Sequence, residues 1–547
     1  MSTTPAAPSD APQPLPASDS LDIDSRSVPS LHETVEHAID IEHMPVDDDP
    51  RAWSPFRKNV VLILVASASM IAGLASNIQN PAIAEMEADL PATASEISLS
   101  ISLFIAIQGF MPLLWSAISE VKGRKIVYVV SLAIFTAGSI VVATSKTIAL
   151  VIAFRCIQAI GSSAVMSIGA ATLADIFDPV ERGTKMGVYY MAPLLGPSLA
   201  PIMGGVLTTG FNWRAPFWFL AIVSGLSCIS IFVFLRDTWR KERSFTYQAV
   251  MKSRLKAHVA SSASSTLTVA EEEPPAAAKP SDETLPADLE KQEGRPSDAP
   301  DVVAAAAGLP VIKLTLRDVN PIKPLLMVLR RTNNLVILFA SGLMFAFNFV
   351  VVYSASRSLG SVYGYNALKV GLVLLSFGIG TLAGSILGGK WSDMKLASLK
   401  AVNGGVSYPE MRLKSTTVGL LLLPPSVLGF GWVTEKHVHV SSMCVFLFFS
   451  GFFGIWAYTS TLAYIVDANN GRSSTVVAAN SAFRGLSAFV AVEVAVPLQE
   501  SIGDGWQYTI WTGLLIMVGI LVWVVVRKGG DWREEAEARE HAAASNS

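Results

Sequence analysis

The sequence predicts an all-α membrane protein with twelve transmembrane helices in two pseudo-symmetric six-helix halves, and three observations predict it. Only 16% of the 547 residues are charged and the mean hydropathy is +0.45, whereas an average soluble protein carries about 25% charged residues. A water-soluble domain could not hide that much apolar surface. The apolar residues also gather into twelve runs, each near the ~20 residues that a helix needs to cross about 30 Å of hydrocarbon. Finally, a long polar stretch divides these runs into six early and six late, and matching loops in the two sets carry similar residues.

The spans are expected at 59–79, 97–119, 126–145, 148–173, 186–208, 215–235, 335–356, 368–389, 415–433, 440–464, 475–498 and 508–527. Residues 1–55 are rich in Ser, Pro, Asp and Glu and hold no cleavable signal, so the first span directs insertion itself and the tail before it is expected to be disordered. The first half is then 56–236, the central loop 237–334, the second half 335–527 and the C-terminal tail 528–547. The loop's middle, 257–307, has an Ala/Ser/Pro/Glu-rich composition that cannot offset its own ordering entropy. Its basic flanks, with Arg236, Arg240, Lys241 and Arg243 before and Lys323, Arg330 and Arg331 after, suit attraction to an anionic leaflet.

Short loops retain Lys and Arg on the cytoplasmic side. Lys122, Arg124, Lys125, Arg182, Lys185, Lys390, Lys395, Lys400, Arg412, Lys414 and Arg472 fall on one side of this topology, and only Lys146, Arg214, Arg357, Lys369 and Lys436 on the other. Both termini are therefore expected in the cytosol. The loop after the first span, with Glu85, Glu87, Asp89 and Glu96, suits the outer face.

Several function classes are excluded by missing parts. The net charge is −3 and the cations form short clusters between apolar runs, so nucleic acid is not an expected partner. Cys156, Cys228 and Cys444 lie singly in apolar runs without metal or disulfide spacing. There is no phosphate-cradling glycine loop, no nucleophile elbow and no His/Cys cluster, and His437 and His439 sit together in an outer loop. No enzymatic activity, metal or cofactor is expected.

The repeat is clearest where span two ends Ser116-Ala-Ile-Ser-Glu120-Val-Lys-Gly123-Arg124-Lys125 and span eight ends Gly389-Lys-Trp-Ser-Asp393-Met-Lys395. Each places a small residue four positions before a carboxylate, followed by basic residues. On these residues the chain resembles the major facilitator superfamily, whose loop signature is Gly-x-x-x-Asp-Arg-x-Gly-Arg-Arg/Lys. Ser116 stands for the Gly, Glu120 for the Asp and Val121 for the first Arg, while Gly123, Arg124 and Lys125 agree. The second copy lacks the Gly-Arg pair. The resemblance implies a gate in which the carboxylate complements the positive N-terminal end of span eleven, near Ser473, Ser474 and Thr475.

Span five reads Gly187-Val-Tyr-Tyr-Met-Ala-Pro193-Leu-Leu-Gly196-Pro197-Ser-Leu-Ala200-Pro201-Ile-Met-Gly204-Gly205. Gly196, Ala200 and Gly204 recur every fourth residue and form a face that a neighbouring backbone can approach. The prolines remove backbone donors and bend the helix. This run resembles the antiporter motif that marks exporters in the superfamily, with Ala200 in place of its second internal Gly. Span four holds Phe154-Arg155-Cys-Ile-Gln158-Ala-Ile-Gly161, similar to the family's intramembrane Arg followed by Gln and Gly. A guanidinium there needs a cavity or a partner, and the resemblance implies a role in proton transfer.

Glu493, in span eleven, is the only carboxylate deep within a predicted span, and Arg484 is nine residues before it on the opposite helix face, so each requires its own partner. Glu493 is either the proton carrier or a solvated group near the outer interface. The first span holds no acid. Arg155, Glu493 and Arg484 are the candidate coupling residues. Asn77, Gln108, Gln158, Tyr189, Asn348, Tyr353, Tyr458 and Asn480 either line a substrate cavity or act as interhelical glue. Asp175-Ile-Phe-Asp178-Pro179, Tyr464-Ile-Val-Asp467 and Asn480-Ser-Ala-Phe-Arg484-Gly485 extend the resemblance across most of 55–530. It is greatest to the fungal drug:proton antiporter 1 group, in the branch of quinidine-resistance, polyamine and dityrosine exporters. The function this implies is proton-coupled efflux of a small molecule by a monomer in the plasma or vacuolar membrane, with its partners being the substrate, protons and lipid. A membrane sensor derived from such a transporter is the rival reading. Xenobiotics, polyamines, organic acids and secondary metabolites such as glycolipids all remain open as substrates.

Overall fold

The computed structural model describes residues 48–240, Tyr247, 322–469 and 472–545. Most of the expected N-terminal tail and of the central loop, including Lys241 and Arg243, lies outside the described residues. Where the chain is described it is helical, because hydrocarbon leaves peptide groups no partners other than those within the helix itself.

Six long helices make the first half: α1 (Pro55–Asn77), α2 (Ala94–Lys122), α3 (Arg124–Thr144), α4 (Ile148–Ile176), α5 (Pro179–Gly210) and α6 (Ala215–Phe234), with a short helical turn at Ile83–Asp89 between the first two. The second half begins with α7 (Thr332–Ser361), α8 (Ala367–Val402), α9 (Thr417–Glu435) and α10 (Val440–Asp467), and ends in one helical stretch, Ser473–Ser545. Among the described residues, eleven helices are long and apolar enough to cross a membrane, the last counted as a single 66-residue segment. A straight helix of that length would span about 100 Å, three times the hydrocarbon thickness. Gly503 breaks it, with φ 78° and ψ 172°. That positive φ is one that side-chain-bearing residues rarely adopt, so glycine fits the turn, beside the Glu435 carboxylate. The stretch is therefore two spans, α11 (473–502) and α12 (504–545), and the total is twelve.

Local signals set the ends. Thr93 and Glu96 form a reciprocal capping box at the start of α2, with Glu96 Oε2 accepting from the Thr93 amide at 2.8 Å. Asn366 caps α8 by accepting from the Lys369 amide at 3.1 Å. Two helices run beyond their predicted spans: α8 continues through Lys390, Lys395 and Lys400 to Val402, and α12 continues past Arg527 to Ser545. Hydropathy falls at both places, yet neither extension contains proline, so nothing stops the helix.

Helix direction alternates, so α1 starts and α12 finishes at the same end of the bundle. This is called the basic end, since Arg124, Lys185, Arg331 and Arg412 lie there. Within each half α2 and α3 pack on α4, α1 on α5, α7 on α11 and α8 on α10. The two halves meet along α2 with α11 and α5 with α8. Ile63, Leu226, Ile229, Phe232, Ile520 and Trp523 are among the large apolar side chains left exposed, as a lipid-facing girdle requires.

Candidate functional site

The site is organised by how closely the halves approach at each end. At the far end the α5–α8 seam is backbone against backbone. A Cβ on Gly205 would lie 2.5 Å from the Ala367 carbonyl oxygen, one on Gly371 2.4 Å from that of Pro201, and one on Gly378 2.8 Å from that of Ser198. The Leu368 amide donates to Thr209 Oγ1 at 3.0 Å, and the Tyr353 hydroxyl donates across the halves to the Ala94 carbonyl at 3.3 Å. The opposite face of α5 clasps α1: Cβ atoms on Gly196 and Gly204 would lie 2.7 Å from the Met70 carbonyl oxygen and 2.0 Å from that of Ile78, with Ala200 fully buried between them. Small residues permit this approach because they have no side chain to intervene. Towards the basic end a Cβ on either Gly187 or Gly389 would meet nothing within 4 Å, while α2 and α11 still touch at mid-height, with a Cβ on Gly109 2.7 Å from the Ser481 carbonyl oxygen. Among the described residues the backbone-to-backbone contacts of the α5–α8 seam gather towards the far end.

Arg155 is fully buried. Its Nη1 donates to the Ala75 carbonyl at 3.0 Å and to Gln158 Oε1 at 2.7 Å, and its guanidinium lies 4.0 Å from the Phe104 ring centroid. Gln158 is held in turn by donating to Ser139 Oγ at 2.7 Å. Nε and Nη2 of Arg155 have no acceptor. The guanidinium is thus inside the first half, with an aromatic face instead of a carboxylate as its partner.

Glu493 and Arg484 have the separate partners that their opposite faces require. Glu493 Oε1 accepts from Ser102 Oγ at 2.5 Å and from Ser98 Oγ at 3.3 Å, both on α2, so this carboxylate bridges the halves. Arg484 Nη1 donates to the Tyr458 hydroxyl at 2.8 Å, and its guanidinium stacks 4.0 Å from the Phe345 ring centroid. Asn480 Oδ1 accepts from Ser341 at 2.7 Å and its Nδ2 donates to Tyr458 at 3.3 Å. Gln108 joins α2 to Ser76 at 3.3 Å and Ser162 at 3.1 Å. Asn77 accepts from Asn80 at 3.2 Å, and Asn348 donates to its own helix at Met344 at 2.8 Å. Tyr189 is buried against Gly169, with its hydroxyl 2.9 Å from Ser69 Oγ. Tyr189 and Tyr353 therefore join helices in this state, while Asn348 and Arg484 are half-exposed.

The loop motif forms an ion network at the basic end of each half. Arg124 Nη2 pairs with Glu120 at 2.7 Å and its Nε with Asp175 at 3.3 Å. Gly123 has φ +87°, and a Cβ there would fall 1.9 Å from the Asp237 carboxylate, which accepts from the Arg124 amide at 3.0 Å. The segment after α6 wraps this loop: Thr238 donates to Asp175 at 3.2 Å and Trp239 Nε1 to Glu120 at 3.4 Å. In the second half Arg412 takes the place of Arg124, pairing with Asp393 at 3.4 Å and with Asp467. Ser116 is exposed and Gly389 half-buried, and Lys125 reaches the Phe232 ring at 5.4 Å. The side chains of Ser473 and Ser474 lie outside the described residues.

Sequence reasoning did not assign roles to Arg412, Asp237, Trp239, Ser98 or Ser102. A signal existed for the second-half network, because Asp175 and Asp467 end α4 and α10, the equivalent helices of the repeat. Arg412 precedes α9 without the Gly-Arg spacing that marks Arg124, so only proximity reveals it.

The sequence profile described as Major Facilitator Superfamily matches residues 65–492. The MFS antiporter QDR3 of Candida albicans is 26% identical, over 91% of this chain and 81% of that protein. The multidrug transporter DTR1 of Candida glabrata is 28% identical, over 89% of this chain and 87% of that protein. Among solved structures, the D-xylose-proton symporter superimposes with a TM-score of 0.58 at 12% identity, covering 85% of this chain and 97% of that one, a likeness of fold.

Proposed function

Because the chain belongs to the Major Facilitator Superfamily, and so is a multi-pass membrane transporter and not an enzyme, we propose that it exports a small amphipathic or organic molecule in exchange for protons by alternating access. The observation that carries this reading is the asymmetry of the α5–α8 seam, pressed backbone to backbone towards the far end and, among the described residues, without such a contact at Gly187 or Gly389 towards the basic end. With the basic end in the cytosol, as the Lys and Arg distribution requires, both termini are cytosolic and this state loads cargo from inside. The cargo is a drug or a secondary metabolite, the membrane is the plasma membrane, and the working unit is one chain. The six-helix units 56–236 and 335–527 rock about the α2–α11 and α5–α8 seams. The names of the fungal relatives, antiporter and multidrug transporter, support the direction.

Coupling is assigned to Arg155 and Glu493. Glu493 bonds across the seam to Ser98 and Ser102, so opening the far end exposes it to the outer side, where it takes up a proton. Arg155 supplies a fixed positive charge in the first half, held by Gln158 and Phe104. Tight glycine packing around α5 leaves no polar path for protons to cross unaccompanied.

The test is flux in sealed proteoliposomes under an imposed pH difference, with a cationic dye, a polyamine and a dicarboxylate offered in turn. Uphill movement of at least one, collapsed by a protonophore, is expected. A correctly inserted protein that moves no solute under any pH difference would sink the reading.

A further inference from the structure

Arginines at the ends of the helices are matched by acids: Arg124, Arg214, Arg331, Arg357, Arg412 and Arg533 each pair with a carboxylate. Arg484 is different. It stands eleven residues into α11, about 17 Å along the helix axis and close to mid-membrane, and among the described residues no carboxylate pairs with it. Glu493 is about 14 Å further along the same helix on the other face, engaged with Ser98 and Ser102.

The surroundings of Arg484 form an incomplete receptor. Phe345 lies under the guanidinium at 4.0 Å, and the Tyr458 ring is 5.7 Å away. Such stacking offsets only part of what a desolvated cation loses, so the guanidinium suits an anion. Nη1 is spent on the Tyr458 hydroxyl, and Nε is buried without an acceptor. That hydroxyl already accepts two hydrogen bonds, from Arg484 and from Asn480. Its own proton has no acceptor among the described residues, so it is a second donor beside the guanidinium. Asn480, fixed by Ser341 at 2.7 Å, holds the tyrosine in place.

The spot is also reachable. Arg484, Phe345 and Asn348 are each half-exposed, and Phe345 and Asn348, three residues apart, share one face of α7. That helix is otherwise largely buried. Arg155, in contrast, is sealed on every side in this state.

We infer that Arg484 and the Tyr458 hydroxyl anchor the negatively charged end of the transported molecule, which makes the substrate class an amphipathic carboxylate. The planar guanidinium meets the carboxylate oxygens as a fork, the tyrosine proton adds a third bond, and Phe345 receives the apolar or aromatic body. This assignment rests on the transporter reading and narrows its substrate.

The experiment compares three probes of one shape and three charges, 1-naphthoate, 1-naphthamide and 1-naphthylmethylammonium, binding to the full chain in nanodiscs, followed by quenching of tryptophan fluorescence. The carboxylate is expected to bind about tenfold more tightly than the amide, as suits a charge-assisted pair, and the cation to bind weakest. Arg484→Gln should bring acid and amide level, Arg484→Lys should restore part of the preference, and Tyr458→Phe should weaken the acid more than the amide. An unaltered melting temperature in detergent shows that each variant is folded. Tightest binding of the cation, an acid preference that survives Arg484→Gln, or binding of none of the three overturns the assignment. The two readings fail separately. A protein that moves solutes on a pH difference but binds the cation best remains a transporter without this site. One that binds naphthoate through Arg484 yet moves nothing keeps the site and loses the transport function.

Discussion

Replacing Gly371 with Ala places a methyl group where the seam between α5 and α8 has no room. The added Cβ would lie 2.4 Å from the Pro201 carbonyl oxygen, 3.0 Å from its carbon and 3.1 Å from the Ile202 Cα, all backbone atoms that no rotamer change can move aside. Ordinary carbon–oxygen contact requires roughly 1 Å more, so the helices must separate, and overpacking of this kind costs about 1–3 kcal/mol. The cost falls only on the state whose far ends touch. Since about 1.4 kcal/mol is a tenfold change in population, the balance should move by about 5–150-fold towards the outward-open state. Spin labels at Phe211 and Val362, exposed at the far ends of the two halves, report this as a longer distance by double electron–electron resonance. Cys156, Cys228 and Cys444 are first replaced. Gly389→Ala is the internal control, since its Cβ meets nothing within 4 Å. An unchanged distance distribution in Gly371→Ala, or an equal change in Gly389→Ala, would refute the argument that this contact shuts the far end.

Other substitutions test other parts. Gly123→Ala adds a side chain at φ +87° that collides with Asp237; a strained backbone of this type costs about 1–3 kcal/mol, so the melting temperature in detergent should fall, and Asp237→Ala added to it should recover part of the loss by removing the collision. Arg155→Ala should abolish gradient-driven efflux with membrane insertion intact, because among the described residues no other cation stands on Phe104; normal flux in that variant would remove the coupling role. Beyond Arg527 the last helix is charged and leaves the membrane. There, hydrogen bonds from Arg331 and Arg472 hold the Glu540 carboxyl down at about 2. A depressed carboxylate contributes stability above its ordinary pKa of 4.5 and loses it as pH falls towards 2. The melting-temperature gap between the native chain and Glu540→Gln should therefore be flat from pH 8 to about 5 and close towards pH 2; a gap that varies between pH 8 and 6 would count against this pairing.

The helices were legible because hydrocarbon imposes one rule on every peptide group, and that rule writes itself as long apolar runs. The turn at Gly503 was legible only as a gap between two runs; that the turn must be glycine follows from its φ of 78°. The helical extensions of α8 and α12 were missed for the converse reason, since hydropathy registers where lipid ends and not where a helix ends.

In the site, the sequence alone identified residues that are costly to keep in a membrane: Arg155, Arg484, Glu493 and the glycines and prolines of α5. Their cost is local and can be read from residue type. What each one faces is not local. Glu493 meets serines almost four hundred positions away in sequence, Arg412 joins Asp393 and Asp467 across two loops, and Tyr458 receives both Arg484 and Asn480. Twelve spans and their basic loops follow from composition and pattern, because solvation acts on each segment separately. Which end of the bundle is shut, and which buried charge still lacks a partner, were decided only by packing, since both depend on distances between helices that chain order does not constrain.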